Sequence, residues 1–311
     1  MKSNAKMKLS ACIALIFTIF LLMSCKTKHV TQKEKSLNYI PYYLQVYKAD
    51  SLFLTKNHKQ SYDILDKLFK RYKPLNQDLY YEYETYVKSA TILDKKINYK
   101  NSIEKLVGEF GKNKLSFVGD YKDSILAEAF QKSKLKDTQF DSLKEKYAKS
   151  KNILLRDSII KMAEIDQMYR YGESYVKNAK KIDSIENINE HKLIYIFNNY
   201  GYPGYNIIGN PMMRGKREKI DIGAIIIHMA DRENSQWIKE KLLEFIKQGR
   251  CSTYNYAALI DREKLNKKEK QVYNVFSKNE MSEDIKQVNK ERKKVGMPTI
   301  EYENWRNNLL K

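Results

Sequence analysis

One histidine and two aspartates in the second half of the chain have the side chains that general acid–base chemistry requires. His228 ends the apolar run that begins at Ile225, while Asp166 and Asp261 each stand one to four residues before an arginine. A histidine titrates near neutral pH, and a carboxylate beside it can orient its ring or share a metal ion with it. The sequence therefore makes His228, Asp166 and Asp261 candidate catalytic residues.

Further polar and aromatic residues of the same half are candidates for binding a ligand: Gln167, Arg170, Tyr202, Arg262, Gln271 and Tyr273. The guanidinium group of Arg170 or Arg262 would bind an anionic group of the ligand. A structural interpretation stands beside this one. On a helix, Asp166 and Arg170 share a face and can form an ion pair, and His228 can be a buried histidine whose ring is satisfied by a hydrogen bond.

The motifs of several enzyme classes are missing from the sequence. No pair of residues has a metal-ligand spacing such as His-x3-His, and no Gly-x-Ser-x-Gly, phosphate loop or dinucleotide glycine pattern occurs. Cys251 has no local signature of a nucleophile. The sequence predicts neither a metal site nor a cofactor, and it leaves open whether the protein is an enzyme.

The order of motifs along residues 155–305 resembles the bacterial domain-of-unknown-function family 6624 (DUF6624). The residues that carry the resemblance are Asp166-Gln167, Arg170, Asn189, Leu193, Gly201-Tyr202-Pro203, Gly209, His228, Asp231, Asp261-Arg262, Gln271, Tyr273, Arg292, Gly296, Pro298 and Tyr302. Members commonly have tryptophan at the position of Tyr202, aspartate at that of Glu186, and Gly-Thr-Gln where this chain has Asn274-Val275-Phe276. The resemblance implies a domain and no reaction.

The N-terminus has the pattern of a bacterial lipoprotein signal. Three lysines precede an apolar stretch from Ser10 to Met23, and Leu22-Met23-Ser24 then leads to Cys25. That stretch is too short to span a bilayer comfortably. We expect cleavage before Cys25, acylation of Cys25 (palmitate among its chains) and anchoring in a membrane. Lys26-Thr27-Lys28-His29, directly after Cys25, contain no acidic residue, which favours an outer-membrane protein that faces the periplasm.

The charge of the mature chain does not indicate a nucleic-acid partner. Without residues 1–24 the chain has 55 basic and 38 acidic residues, a formal charge of +17. Only 10 of the 58 basic residues of the full chain are arginine, and no groove-reading or stacking motif accompanies the lysines. Cys251 would be the one thiol left after lipidation of Cys25, so no intramolecular disulfide is expected.

The periodicity of apolar residues predicts a mainly α fold. Residues 1–24 are the predicted signal peptide and residues 25–37 a lipidated tether. Residues 38–150 are predicted to form antiparallel helical hairpins, which either resemble tetratricopeptide repeats or form a plain bundle. Residues 151–311 are predicted to form a second, mainly helical domain. The Gly/Pro-rich segment 201–211 is a candidate pocket wall.

Two functions are compatible with these observations. The first is a binding or scaffold module that is anchored to the membrane through Cys25 and contacts an envelope protein or peptide. The alternative is an envelope hydrolase that uses His228 with Asp166 or Asp261. The alternative requires these three side chains to converge in one accessible cleft.

Overall fold

The structure is a computed structural model that describes residues 37–77, 79–120, 122–170, 174–276 and 280–311. The predicted signal peptide, Cys25 and the tether up to residue 36 lie outside the described residues. Residues 37–311 form one compact unit, in which the described elements are helices. The predicted mainly α fold is confirmed. Within this described part, every helix is too short or too polar to cross a bilayer.

Fifteen α-helices of the described residues are numbered here in chain order. They are α1 (Ile40–Leu54), α2 (His58–Phe69), α3 (Glu82–Ile92), α4 (Tyr99–Gly108), α5 (Ser124–Ser133), α6 (Asp137–Lys149), α7 (Ile153–Met168), α8 (Ser174–Lys177), α9 (Ala179–Asn199), α10 (Tyr205–Ile208), α11 (Ile222–Ile227), α12 (Ser235–Lys247), α13 (Thr253–Asn266), α14 (Ile285–Lys294) and α15 (Ile300–Leu309). A short 3₁₀ turn covers Lys114–Ser116.

Short connections join the first helices into packed pairs. Three residues separate α1 from α2, and the side chain of Asn57 caps α2 by accepting a hydrogen bond from the Gln60 N–H. α2 packs on both α1 and α3, and α5 packs on both α3 and α4. Helices that are neighbours in this part of the chain are therefore also neighbours in space.

The largest core combines both ends of the chain. It contains buried residues of α1 and α2 together with those of α7, α9, α11, α12 and α13. The hydroxyl of Tyr43 donates to the Ile246 carbonyl (3.0 Å), and that of Tyr47 donates to the Gly296 carbonyl (2.9 Å). The largest core therefore contains residues from both sides of the predicted boundary at Ser150.

Two smaller cores complete the unit. One gathers the apolar faces of α3 to α6, with Phe117, Phe130 and Phe140 in mutual ring contact. The other lies between α13 and α14 and includes Tyr273 and Met297. This third core holds the turn that follows α13, which becomes important for the placement of Asp261.

The Gly/Pro-rich segment is anchored by a buried arginine. The fully buried Arg156 of α7 donates to the carbonyls of Ile208 (2.7 Å), Gly209 (3.0 Å) and Asn210 (2.9 Å) and pairs with Glu218 at 2.6 Å. This arginine ties the segment to α7. The segment contains the short helix α10, which the sequence did not predict.

Candidate functional site

Three helices bring the first group of predicted site residues together. Asp166 lies in the last turn of α7, Asn189 lies on α9, and His228 directly follows α11. Helix α11 is held by two fully buried isoleucines, Ile225 and Ile226, and its first turn is capped by Asp221. Packing of this apolar helix into the core carries His228 to the carboxylate of Asp166.

The Asp166 carboxylate is buried and surrounded by donors. Oδ2 lies 2.8 Å from Nδ1 of His228 and accepts a hydrogen bond from Nε2 of Gln167 at 2.8 Å. Oδ1 accepts from Nη2 of Arg170 and from Nδ2 of Asn189, both at 3.3 Å. The Arg170 guanidinium also pairs with Glu186 at 2.8 Å. We call these six residues the Asp166 network.

The contact with Asp166 fixes the orientation of the histidine ring. A carboxylate attracts a nitrogen that carries a proton, so the 2.8 Å contact favours a proton on Nδ1 of His228. The His228 side chain keeps 22% of its surface exposed, while that of Asp166 has none. The pair has the geometry of a buried carboxylate that orients a histidine at the protein surface.

The pKa of the Asp166 carboxyl reflects two opposing effects. Burial raises it, whereas the hydrogen bond and charge of His228, followed by the charge of Arg170, lower it. The charged partners outweigh burial, so the pKa of Asp166 lies below its ordinary value. The carboxylate is ionised at neutral pH and can serve as a permanent acceptor for the histidine.

A second set of ion pairs fixes the loop that follows His228. Arg232 donates to Asp183 on α9 (2.7 Å) and to Glu190 on the same helix (3.3 Å). Glu190 also accepts from the backbone N–H of Asn234 at 2.8 Å. Burial raises the pKa of Glu190, but Asn234 and Arg232 lower it by more. These contacts hold the residues after α11 on α9 and restrict the position of His228.

Asp261 belongs to a different network. Its buried carboxylate accepts three backbone hydrogen bonds, from Val272 (2.8 Å), Tyr273 (3.0 Å) and Val275 (3.0 Å). Burial raises the pKa of Asp261 above its ordinary value, although the three N–H donors and the charge of Arg292 act in the opposite direction. Among the described contacts, none joins Asp261 to His228 or Asp166. Of the three candidate catalytic residues, only His228 and Asp166 are in contact with each other.

A buried arginine completes the network around Asp261. The guanidinium of Arg292 donates to the carbonyls of Tyr273 (2.8 Å) and Pro298 (2.7 Å) and pairs with Glu303. Gln271 closes the same turn through hydrogen bonds to the backbone carbonyl (2.7 Å) and N–H (2.9 Å) of Phe276. We call Asp261, Gln271, Tyr273 and Arg292 the Asp261 network. Its members bind backbone groups and fix a turn.

The remaining candidates lie elsewhere. Tyr202 is buried in the largest core, where Nδ2 of Asn255 donates to its hydroxyl at 2.5 Å and burial raises its pKa. The Arg262 guanidinium lies 4.7 Å from the ring centroid of Phe276. Asp231 accepts from Asn266 at 2.5 Å, away from Asp166. Tyr202 therefore acts in packing between helices, whereas Asp231 makes an exposed contact with the end of α13.

Several charged residues that are buried or partly buried were missed by the sequence analysis, and their residue type could have identified them. Arg156, Arg232 and Arg306 all bind carboxylates at the centre of networks. In a chain whose basic residues are mostly lysine, an arginine is a useful signal, because its planar fork satisfies several acceptors at once.

The described residues contain no group of three or more histidine, cysteine, aspartate or glutamate side chains placed to hold a metal ion. A narrow space between α1 and α3, lined among others by Val46, Tyr80 and Glu82, cannot admit a water molecule. The side chains of His228, Arg170 and Glu186 are partly exposed and form the edge of the Asp166 network that faces solvent.

Comparison of the chain with protein-family models, with curated proteins and with solved structures gives no match, so the resemblance to DUF6624 stays a prediction.

Proposed function

We propose that the protein is a lipid-anchored binding or scaffold module of the bacterial envelope. Residues 1–24 act as the signal, Cys25 carries the acyl chains, and the residues up to 37 tether the helical unit to the membrane. The sequence Leu22-Met23-Ser24-Cys25 behind a basic, apolar leader carries this proposal. The compact unit that begins at Leu37 supports it, because only a short polar tether separates Cys25 from a folded body.

The internal networks support a role that does not require catalysis. The carboxylates of Asp261 and Glu82 are engaged by backbone groups, and Arg156 and Arg292 are buried against carbonyl oxygens. Polar groups used in this way stabilise a unique packing of helices. The helical pairs of residues 38–150 are the proposed surface for an envelope protein or peptide, in the manner of tetratricopeptide-like hairpins.

Acyl labelling tests the anchor. Cells that express the full chain are fed a palmitate analogue with a clickable tag, and the labelled protein is compared with a Cys25→Ser variant. We expect label on the wild-type chain, none on the variant, and recovery of the wild type in the outer-membrane fraction. Equal labelling of both chains, or a wild-type chain found in the cytoplasm, contradicts the proposal.

An envelope hydrolase is the second candidate, and the contact between Asp166 and His228 favours it. In this mechanism Nε2 of His228 accepts a proton from a water or hydroxyl nucleophile, and Asp166 orients the ring and stabilises its protonated form. Arg170 contacts the same carboxylate, so it positions Asp166 and has no free charge for a substrate. Asp261 has no part in this version of the hypothesis, because its oxygens are occupied by backbone donors.

Turnover assays separate the two candidates. The mature chain is incubated with envelope-derived glycan, peptide and ester substrates beside two variants, His228→Asn and Trp237→Phe, the second a control outside the Asp166 network. The scaffold proposal expects no turnover by any of the three proteins. Turnover that is lost in His228→Asn and retained in the control, with both variants folded, would establish the hydrolase.

A further inference from the structure

Four exposed apolar residues gather at the last turn of the C-terminal helix. Trp305 and Leu309 stand four residues apart and therefore share a face of α15, and Leu310 follows. Arg306, on the same turn, donates through Nη2 to the carbonyl of Leu79. This hydrogen bond places Leu79 beside the end of α15. We name Leu79, Trp305, Leu309 and Leu310 the C-terminal apolar patch; each is between 37% and 62% exposed.

Neither burial nor backbone preference explains the leucine at position 79. Its side chain is the most exposed of the patch, and its φ of +76° lies in the left-handed region, which is disfavoured for residues that carry a Cβ atom. Arg306 holds the residue in this conformation through its carbonyl. A strained backbone that holds an apolar side chain in solvent is expected at a binding surface.

The patch lies close to the end of the tether. The carbonyl of Asn38, the second described residue, accepts a hydrogen bond from the Tyr72 hydroxyl at 3.3 Å. Tyr72 and Leu79 belong to the same connection between α2 and α3, and the seven Cα–Cα steps from one to the other span at most about 25 Å. The eleven residues between Cys25 and Leu37 reach about 40 Å when extended. The tether can therefore bring the patch to the surface that holds the anchor.

Exposed cations lie near the patch in the sequence, although the acidic Asp78 directly precedes Leu79. Arg71 and Lys73 on the connection and Lys311 after α15 are exposed. The two acidic residues of α15 stand in its first turn and are engaged, Glu301 by Asn289 and Glu303 by Arg292. Arg306 is neutralised by Asp50. Exposed cations beside apolar side chains complement an anionic bilayer surface, where tryptophan is favoured at the level of the headgroups.

We propose that the C-terminal apolar patch rests on the anionic membrane surface, with Trp305, Leu309, Leu310 and Leu79 inserted among the headgroups. The inference rests on the proposed lipid anchor, since the tether raises the local concentration of the patch at the bilayer and makes a weak contact sufficient. The contact orients the helical unit, so that α15 faces the membrane and other surfaces face the aqueous compartment.

Vesicle binding by the unacylated chain tests the patch separately from the anchor. Residues 26–311 contain the whole compact unit. A Trp237→Phe background leaves Trp305 as the one tryptophan, because the chain has two. The protein is mixed at low salt with vesicles of phosphatidylcholine, alone or with an equal amount of phosphatidylglycerol. We expect a blue shift of Trp305 fluorescence and co-sedimentation with the anionic vesicles.

A matched pair of variants decides the outcome. Leu309→Glu should weaken partitioning into anionic vesicles by about tenfold. Leu154→Glu makes the same charge change at an 84% exposed leucine of α7 and should leave partitioning unchanged. Both leucines are exposed, so both variants should fold, which circular dichroism checks.

Three results would overturn the proposal: no binding to anionic vesicles, an equal loss in both variants, or a concentration-dependent dimer that Leu309→Glu dissociates. The third result would assign the patch to a second copy of the chain. Acylation of Cys25 is measured in a separate experiment. A negative vesicle result therefore does not contradict the proposed anchor, and a negative labelling result does not contradict binding of the patch to vesicles.

Discussion

Asp166 and Asp261 are both buried aspartates on helices, but they bind different kinds of partner. Asp166 contacts side chains of three elements, among them the partly exposed His228. Asp261 accepts only from backbone N–H groups of the turn 272–275 among its described hydrogen bonds. A buried carboxylate is therefore a candidate for catalysis only when its partner side chain can exchange protons with solvent. A buried carboxylate whose partners are backbone N–H groups instead stabilises a turn.

The arginines of the two networks differ in the same way. Arg170 binds two carboxylates and keeps 11% of its side chain exposed, so water can replace a lost contact. Arg292 is fully buried and binds two backbone carbonyls in addition to Glu303. We therefore expect substitutions in the Asp261 network to lower the free energy of unfolding more than substitutions in the Asp166 network. Side chains of the Asp166 network should be replaceable without unfolding the protein.

The largest expected effect is that of Asp261→Ala. The substitution leaves three buried N–H groups without an acceptor, and each unsatisfied group costs about 1–3 kcal/mol. We expect a loss of at least about 3 kcal/mol in the free energy of unfolding, measured by urea denaturation with circular dichroism. Asp166→Ala should cost less, about 2 kcal/mol, because His228 and Arg170 can turn to water. An Asp166 variant that is the less stable of the two would refute the comparison.

Exchanging each arginine for lysine tests the second half of the comparison. Arg292→Lys keeps the charge, but an ammonium group cannot reach all three acceptors of Arg292. We expect the free energy of unfolding to fall by about 3 kcal/mol. Arg170→Lys should cost about 1 kcal/mol, because its site is partly open to solvent. Thermal denaturation of both variants beside wild type measures the difference. Equal losses would mean that exposure does not separate the networks.

The sequence predicted much of the helical content and part of the site. The fourfold spacing of Asp166 and Arg170 indicates a shared helix face, and the two residues do form an ion pair. The apolar run that ends at His228 forms α11, a short helix in which Ile225 and Ile226 are buried. These features are local, which explains why a single sequence reveals them.

The features that the sequence did not reveal depend on distant contacts. The helix α15 was not predicted, and it is held by Tyr302 and Arg306, which both bind Asp50 more than 250 residues away in the chain. The separation of Asp261 from His228 was equally hidden, because Asp261 and Asp166 both stand in polar, motif-like pairs. Only the packing of α13 on the turn that follows it decides which carboxylate meets backbone donors.

The pH dependence of stability should have opposite signs at the two aspartates. The pKa of Asp166 is lowered in the folded state, so its contribution is present above its ordinary pKa of about 3.9 and is lost as the pH falls through the folded value. The stability difference between wild type and Asp166→Asn should therefore shrink between pH 5 and pH 3, as urea titrations at each pH would show.

The raised pKa of Asp261 predicts the reverse trend. A group whose pKa is raised on folding stabilises the fold most below its ordinary pKa of about 3.9, and this contribution is lost as the pH rises through the folded value. The difference between wild type and Asp261→Asn should therefore widen as the pH falls from 5 to 3. A narrowing there would mean that the three backbone donors outweigh burial and that Asp261 behaves like Asp166.

The smallest expected effect on stability is that of His228→Asn. Asparagine can still donate one hydrogen bond toward Asp166, which also keeps Gln167, Arg170 and Asn189 as donors. We expect a change in the free energy of unfolding of about 1 kcal/mol or less. This small effect makes the variant informative, because any activity or partner binding that it abolishes belongs to the imidazole itself. A loss as large as that of Asp261→Ala would instead place His228 among the residues that hold the fold, and the contrast between the two networks would disappear.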